Sequence, residues 1–164
     1  MATVRKSFQE GHRRKFLVVI DDTPECDRSV VYGAHRAMRT GGGLVMLYAI
    51  APSDFQHWIG VENIMRAEAH EAAEEALRKH SERAIQTCGI KAETIVREGL
   101  LSQVILELID EDEDIAILVL AAGTDSEGPG PLVSSIAGGG SSTFPIPVTI
   151  VPGTLSDEDI AALA

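Results

Sequence analysis

Residues able to hold an anion concentrate between Leu118 and Pro152. An apolar run, Ile115 to Ala122, leads into a loop containing Gly123, Thr124, Gly128 and Gly130, with Ser134, Ser135 and Gly138 to Gly140 beyond it. Backbone N–H groups of such a loop can bind phosphate, because glycine lets the chain approach the ligand and a following helix start adds donors. In an α/β domain, a small-residue loop after a central strand lies at the carboxyl edge of the sheet, where ligands bind. Asp21 ends an earlier apolar run at the same edge. It reads either as a ligand-facing carboxylate or as a turn acid beside a helix dipole.

Other chemistry finds less support. His12, His35, His57, His70 and His80 do not pair at the short spacings of zinc sites, and no cysteine pair assists them. The acidic run Glu111 to Asp114 reads as a solvated turn, since calcium loops need a longer, spaced ligand set. Cys26 falls in the first turn of a helix, where the dipole lowers a thiol pKa, but Asp21, Asp22, Glu25 and Asp27 push it the other way. No nucleophile–base constellation stands out, so the chain reads as a non-enzyme.

The elements that must position the loop follow from apolar periodicity. Phe16 to Ile20 is a continuous apolar run, the mark of a strand buried on both faces. Thr23, Pro24 and Glu25 supply an N-cap, a first helical proline and a first-turn acid for a helix to about Arg39, which Gly41 to Gly43 stop. Leu44 to Ile50 is the second buried strand, followed by a loop carrying Phe55 and Trp58 and a long amphipathic helix over 61–88. Ala92 to Arg97 alternates and reads as an exposed edge strand. A helix over 102–111, with Ser102 as its cap, leads to the fourth strand, Ile115 to Ala122. The helix after it is expected to be short, because Gly138 to Gly140 weaken it by about 1 kcal/mol each relative to alanine. Val148 to Val151, between Pro147 and Pro152, suits an edge or interface strand. Ser156 and Asp159 form a capping box for a terminal helix. Strands alternating with helices predict an α/β fold, an open five-stranded parallel sheet sandwiched by helices and Rossmann-like in plan.

Length and charge narrow the function. The 164 residues suit one domain, and 45% hydrophobic with 24% charged residues is a globular balance. A net charge of −11 argues against nucleic acid and anionic membranes as partners. No apolar run reaches the length of a membrane span. Residues 1–15 are basic without the apolar core of a signal peptide, and read as a flexible arm. Two cysteines give no disulfide framework, which points to the cytoplasm.

Several motifs, in order, resemble the universal stress protein family. These are the first strand from Phe16 with its terminal Asp21, the link Val96-Arg97-Glu98-Gly99, the strand segment Ile117 to Leu120, and the run Pro145 to Val151. The resemblance covers about residues 15–152 and makes 16–152 the family domain, with 153–164 a short helix and tail. It implies the adenine nucleotide alpha hydrolase-like version of the fold, a stress-response role, and a homodimer paired through the last strand, Val148 to Val151. Some members bind ATP through Gly-x-x-Gly-x9-Gly-Ser or Gly-Thr. Counted back from Pro147, that motif falls here on Ala121, Thr124, Ser134 and Ser135, with Gly123 inside it. A second register gives Glu127, Gly130, Gly140 and Ser141, but leaves too few residues for the next helix. The resemblance also sets Asp21 beside the base and ribose and Leu44 in the base pocket. ATP or AMP are the cofactors it allows, at a phosphate site that Ala121 and Thr124 have crowded. A nucleotide or small-anion site that is weakened, a genuine ATP site in the altered loop, and a closed pocket serving protein interaction all stay open at this point.

Overall fold

Side-chain alternation along β1 (Lys15–Val19) divides the molecule into two apolar layers. Phe16, Val18 and the following Ile20 face one layer, while Leu17 and Val19 face the other. The computed structural model describes residues 3–52, 61–124, 128–130, 132–134 and 144–164. Its elements continue with α1 (Cys26–Thr40), β2 (Gly43–Ile50), α2 (Glu62–Cys88), β3 (Glu93–Glu98), α3 (Leu101–Glu111), β4 (Ile115–Ala122), β5 (Val148–Pro152) and α4 (Asp157–Leu163). The five strands pair in parallel in the order β3-β2-β1-β4-β5. This is the α/β sheet that the alternation of elements predicts.

The first layer joins β1 to α1, α2 and α4 through Val30, Ala34, Leu77, Ala84 and Ile160. The second sets α3 on the other face through Val104, Ile105, Leu108 and Ile109. Helix α1 lies close to the sheet at Gly33, where an added Cβ would stand 2.8 Å from Val18 Cγ2 and 3.0 Å from Leu44 Cδ1. Gly41, with φ +67°, ends α1 in the left-handed conformation expected of a helix-stopping glycine. Among the described residues, no helix is long and apolar enough to cross a membrane.

Two helix starts differ from the sequence reading, one agrees with it, and one helix is described only in part. Helix α1 begins at Cys26 with Glu25 at the N-cap, so Thr23 does not cap it. The Thr23 hydroxyl and N–H both donate to Asp21 Oδ1, which makes a tight turn before the helix and spends the capping group there. Ser102 does not cap α3 either, because the helix starts one residue earlier and Leu100 holds the N-cap. The capping box of Ser156 and Asp159 on α4 is present as read. Of the short helix near Ser134, residues 132–134 are helical, and the glycine-rich remainder lies outside the described residues.

The basic residues expected to trail as a free arm are instead bonded to the α3–β4 turn. Arg5 Nη1 donates to the carbonyls of Ile109, Asp112 and Ile115 at 2.6, 3.0 and 3.2 Å. Lys6 meets Glu113, His12 meets Asp114, and Lys15 meets Asp112. The acidic turn is thus a docking surface for the chain's own basic segment, which its opposite charge and position favour.

A second set of charges ties three helices together. Arg83 of α2 donates to both Asp27 of α1 and Asp157 of α4, and Arg28 of α1 also reaches Asp157 at 2.7 Å. Burial alone would raise the Asp27 carboxyl, but hydrogen bonds from Arg83 and Arg28 outweigh it and hold the group below its ordinary value.

Candidate functional site

The chain runs outward from β1 through β2 to β3, then crosses to the other side for β4 and β5. The reversal leaves a crevice between the carboxyl ends of β1 and β4, the usual ligand position in such sheets. A cavity of about 110 Å³ occupies that crevice. Val19, Cys26 and Leu120 line it from the strand ends and α1, and Asp21, Glu25 and Gly130 carry its polar rim. An open cleft of about 610 Å³ lies on the α2 side, with Asp21 and Thr23 shared between the two. Asp22, Asp27, Glu75 and His80 line this larger cleft, with Lys79 as its cation.

The structure brings Asp21, Ala121 and Gly123 to the crevice and sends Leu44 elsewhere. Asp21 is exposed just past β1, and its Oδ1 closes the turn to Thr23. Ala121 is half-buried on β4 opposite Val151 and lines the small cavity. Gly123 follows β4 and donates its N–H to Pro129 O at 3.0 Å. Thr124 is exposed and turns its methyl toward Gly153. Ser134 is exposed on the helical segment, its N–H given to Gly130 O, and does not line the cavity. Ser135 lies outside the described residues, as do Glu127, Gly140 and Ser141 of the second register. Gly130 of that register does line the cavity, in a left-handed conformation with φ +110° that glycine alone adopts at little cost. Phe55 and Trp58, on the loop after β2, also lie outside the described residues.

Leu44 requires a correction. It pairs with Phe16 near the start of β1 and is 2% exposed, so it belongs to the core at the amino edge of the sheet. At a strand rise of about 3.3 Å per residue, it stands about 16 Å along the sheet from the level of Asp21. The β2 residues at the crevice end are Tyr48, Ala49 and Ile50, and the Tyr48 hydroxyl donates to Asp22 at 3.1 Å.

Glu25 is the site residue that the sequence reading passed over. Its Oε1 lies 3.0 Å, and its Cδ 3.6 Å, from where a Cβ on Gly123 would stand. The carboxylate therefore rests against the turn that opens the β4 loop. Read along the sequence, Glu25 fills an ordinary helix-start position, and nothing in that pattern says that its side chain crosses to β4.

Cys26 is closed to thiolate chemistry. Burial, with added repulsion from Asp21, Asp27 and Glu25, pushes its thiol up to about 12. The thiol points at Val19 O, 3.7 Å away.

His80, 7% exposed on the wall of the larger cleft, is held below its ordinary 6.5 chiefly by burial and then by Lys79. Asp27 and Asp21 pull the other way without winning. The unfolded chain therefore binds this proton more readily than the fold, so stability falls as pH drops below the unfolded value of 6.5. His35, half-buried but with its Nδ1 buried and without a partner, is shifted the same way and adds to the trend. Urea midpoints at pH 7.5 and 5.5 are expected to fall toward acid in the wild type and to fall less in His80→Gln. An equal drop in both proteins would contradict this assignment.

Among the described residues, no group of three or more His, Cys, Asp or Glu side chains could hold a metal ion. The crevice can offer carboxylates, small hydroxyls and an apolar floor.

Comparison with known proteins fits this geometry. Matched by sequence against curated proteins, the chain finds no relative. Solved structures resemble it in fold. Universal stress protein UspA from Lactobacillus plantarum superposes with a TM-score of 0.67 at 17% identity, over 84% of this chain and 97% of that one. The universal stress protein from Archaeoglobus fulgidus in complex with dAMP gives 0.56 at 16%, over 84% and 97%. A universal stress protein family protein from Arabidopsis thaliana with AMP bound gives 0.58 at 15%, over 88% and 94%. At these identities the likeness establishes the fold alone. The sequence model of the universal stress protein family, however, matches residues 12–152, which is most of the chain. With the five-stranded sheet and its crevice in place, that match settles the classification: this chain belongs to the universal stress protein family.

Proposed function

We propose that this chain is a non-catalytic universal stress protein that holds a ligand of the adenine-nucleotide class, weakly, at the β1–β4 crevice. The observation that carries this reading is the crevice itself, kept at the switch point of the sheet but small and lined by no lysine or arginine among the described residues. A cavity of about 110 Å³ falls below the roughly 300–1,000 Å³ of pockets that enclose whole ligands. The ligand would therefore also use the open cleft beyond Asp21. Similar proteins hold dAMP and AMP, which favours this ligand class over unrelated ones. Asp21, Ala121, Gly123 and Thr124 are the residues we assign to the site, with Ser134 at its margin.

We further assign a homodimer joined through β5, the outermost strand beyond β4, where Ile150 is 37% exposed. A cytoplasmic setting accords with two free cysteines.

Native mass spectrometry of protein purified without added nucleotide should show a dimer without retained ATP. Isothermal titration should then place ATP with Mg²⁺ in the millimolar range. A micromolar ATP affinity, or turnover of ATP, would overturn the reading, and monomer alone at micromolar protein would remove the β5 interface.

A further inference from the structure

The β4 side of the crevice carries a carboxylate of the protein's own. Glu25 stands at the N-cap of α1 but makes no side-chain capping bond. Its chain instead lies across the ends of β4 and β5. Its Cβ is 3.2 Å from where a Cβ on Gly153 would stand, and its Oε1 is 3.0 Å from the same point on Gly123. Among the described residues, the carboxylate has neither a hydrogen-bond partner nor an ion pair, and no lysine or arginine lines the cavity that it borders. Three backbone donors beside it are already committed. Gly123 N–H goes to Pro129 O, Gly153 N–H to Ala122 O and Ser134 N–H to Gly130 O.

We infer that Glu25 is a specificity-determining residue that makes the crevice select an uncharged nucleoside over its phosphorylated forms. The inference rests on the adenine-nucleotide-class reading given above. The cause is Coulombic. A phosphate placed against the β4 loop would lie within a few ångströms of an uncompensated carboxylate, in a site that is half-buried and so screened less than open water. It would also find the N–H groups of Gly123, Gly153 and Ser134 engaged elsewhere, and each donor withheld disfavours a desolvated phosphate. A nucleoside carries the same base and sugar without meeting either obstacle, and the carboxylate can accept a hydrogen bond from a ribose hydroxyl. Sequence position alone gives Glu25 no such role. The role comes from the direction of its side chain and from the two glycines that admit it.

The test is a titration matrix of adenosine, AMP and ATP against the wild type, Glu25→Gln and Glu25→Ala, with circular dichroism to check each fold. The wild type should bind adenosine at least about tenfold more tightly than AMP. Glu25→Gln keeps the shape and removes the charge, so it should tighten AMP about tenfold or more while changing adenosine little. Glu25→Ala should move AMP the same way. Equal wild-type affinities for adenosine and AMP, or an AMP affinity unchanged in both variants, would overturn the role of Glu25 and leave the ligand-class reading intact. If neither adenosine nor any nucleotide bound any of the three proteins, the ligand class would fall and this inference with it. The wild-type preference needs no variant, so the inference can fail even if a substitution impairs folding.

Discussion

Phe16→Ala is expected to destabilise the protein by about 3–5 kcal/mol, the largest effect of any single change considered for this chain. Phe16 is 0% exposed on the central strand and is among the largest fully buried side chains. It packs with Val30 and Ala34 of α1 in the first apolar layer, beside Leu44 on β2. The neighbouring strands and α1 cannot close over the lost ring without breaking the β1–β2 register, so a cavity remains. The guanidinium groups of Arg14 and Arg36 also lie 5.0 and 5.8 Å from the ring centroid and would lose that face. Urea denaturation should show the loss, with a fall in Tm of roughly 6–20 °C. Phe16→Leu should lose much less. A cost below about 1.5 kcal/mol for the alanine variant would mean that the layer repacks freely, contrary to the rigidity argued here.

Gly153→Ala is expected to cost about 2–3 kcal/mol, the upper part of the range for overfilled interiors. Gly153 follows β5 and donates its N–H to Ala122 O at 3.0 Å, fastening the two strand ends together. A Cβ there would stand 2.5 Å from the same carbonyl oxygen, 3.0 Å from Thr124 Cγ2 and 3.2 Å from Glu25 Cβ. The nearest of these is backbone, which has no rotamer to escape into. The strand ends must part, and Thr124 and Glu25 must move with them. Equilibrium unfolding checks the energy, and the variant should also lose the wild-type preference for adenosine over AMP. A variant as stable as the wild type would show that the β4 and β5 ends are not held as closely as described.

The fold was legible because it depends on period and punctuation. Phe16 to Ile20 announced a strand covered on both sides, Gly41 and Gly89 closed their helices with φ +67°, and Ser156 with Asp159 marked the start of α4. The parts that depend on side-chain direction were not legible. Leu44 looked suitable for a base pocket by type, yet strand polarity puts it at the wrong edge. Counting from the carboxyl end of β2 would have led to Tyr48 and Ile50 instead. Thr23 had the chemistry of a cap, but Asp21 two residues earlier offered its hydroxyl and N–H a nearer acceptor. Arg5 and Lys6 looked like solvated charge because their acceptors on the α3–β4 turn lie about a hundred residues further along the chain. Glu25 stayed hidden for the same reason, since only the folded chain brings it to Gly123 and Gly153.

The Asp27–Arg83–Asp157 tie gives the crevice a remote readout. Asp27 sits two residues past Glu25, in the first turn of α1 and on the wall of the open cleft. Any rotation of that turn draws on Arg83, and through it on Asp157 at the head of α4. An environment-sensitive dye attached at Glu158, which is exposed beside Asp157, would therefore signal occupancy from a part of the surface that no ligand touches.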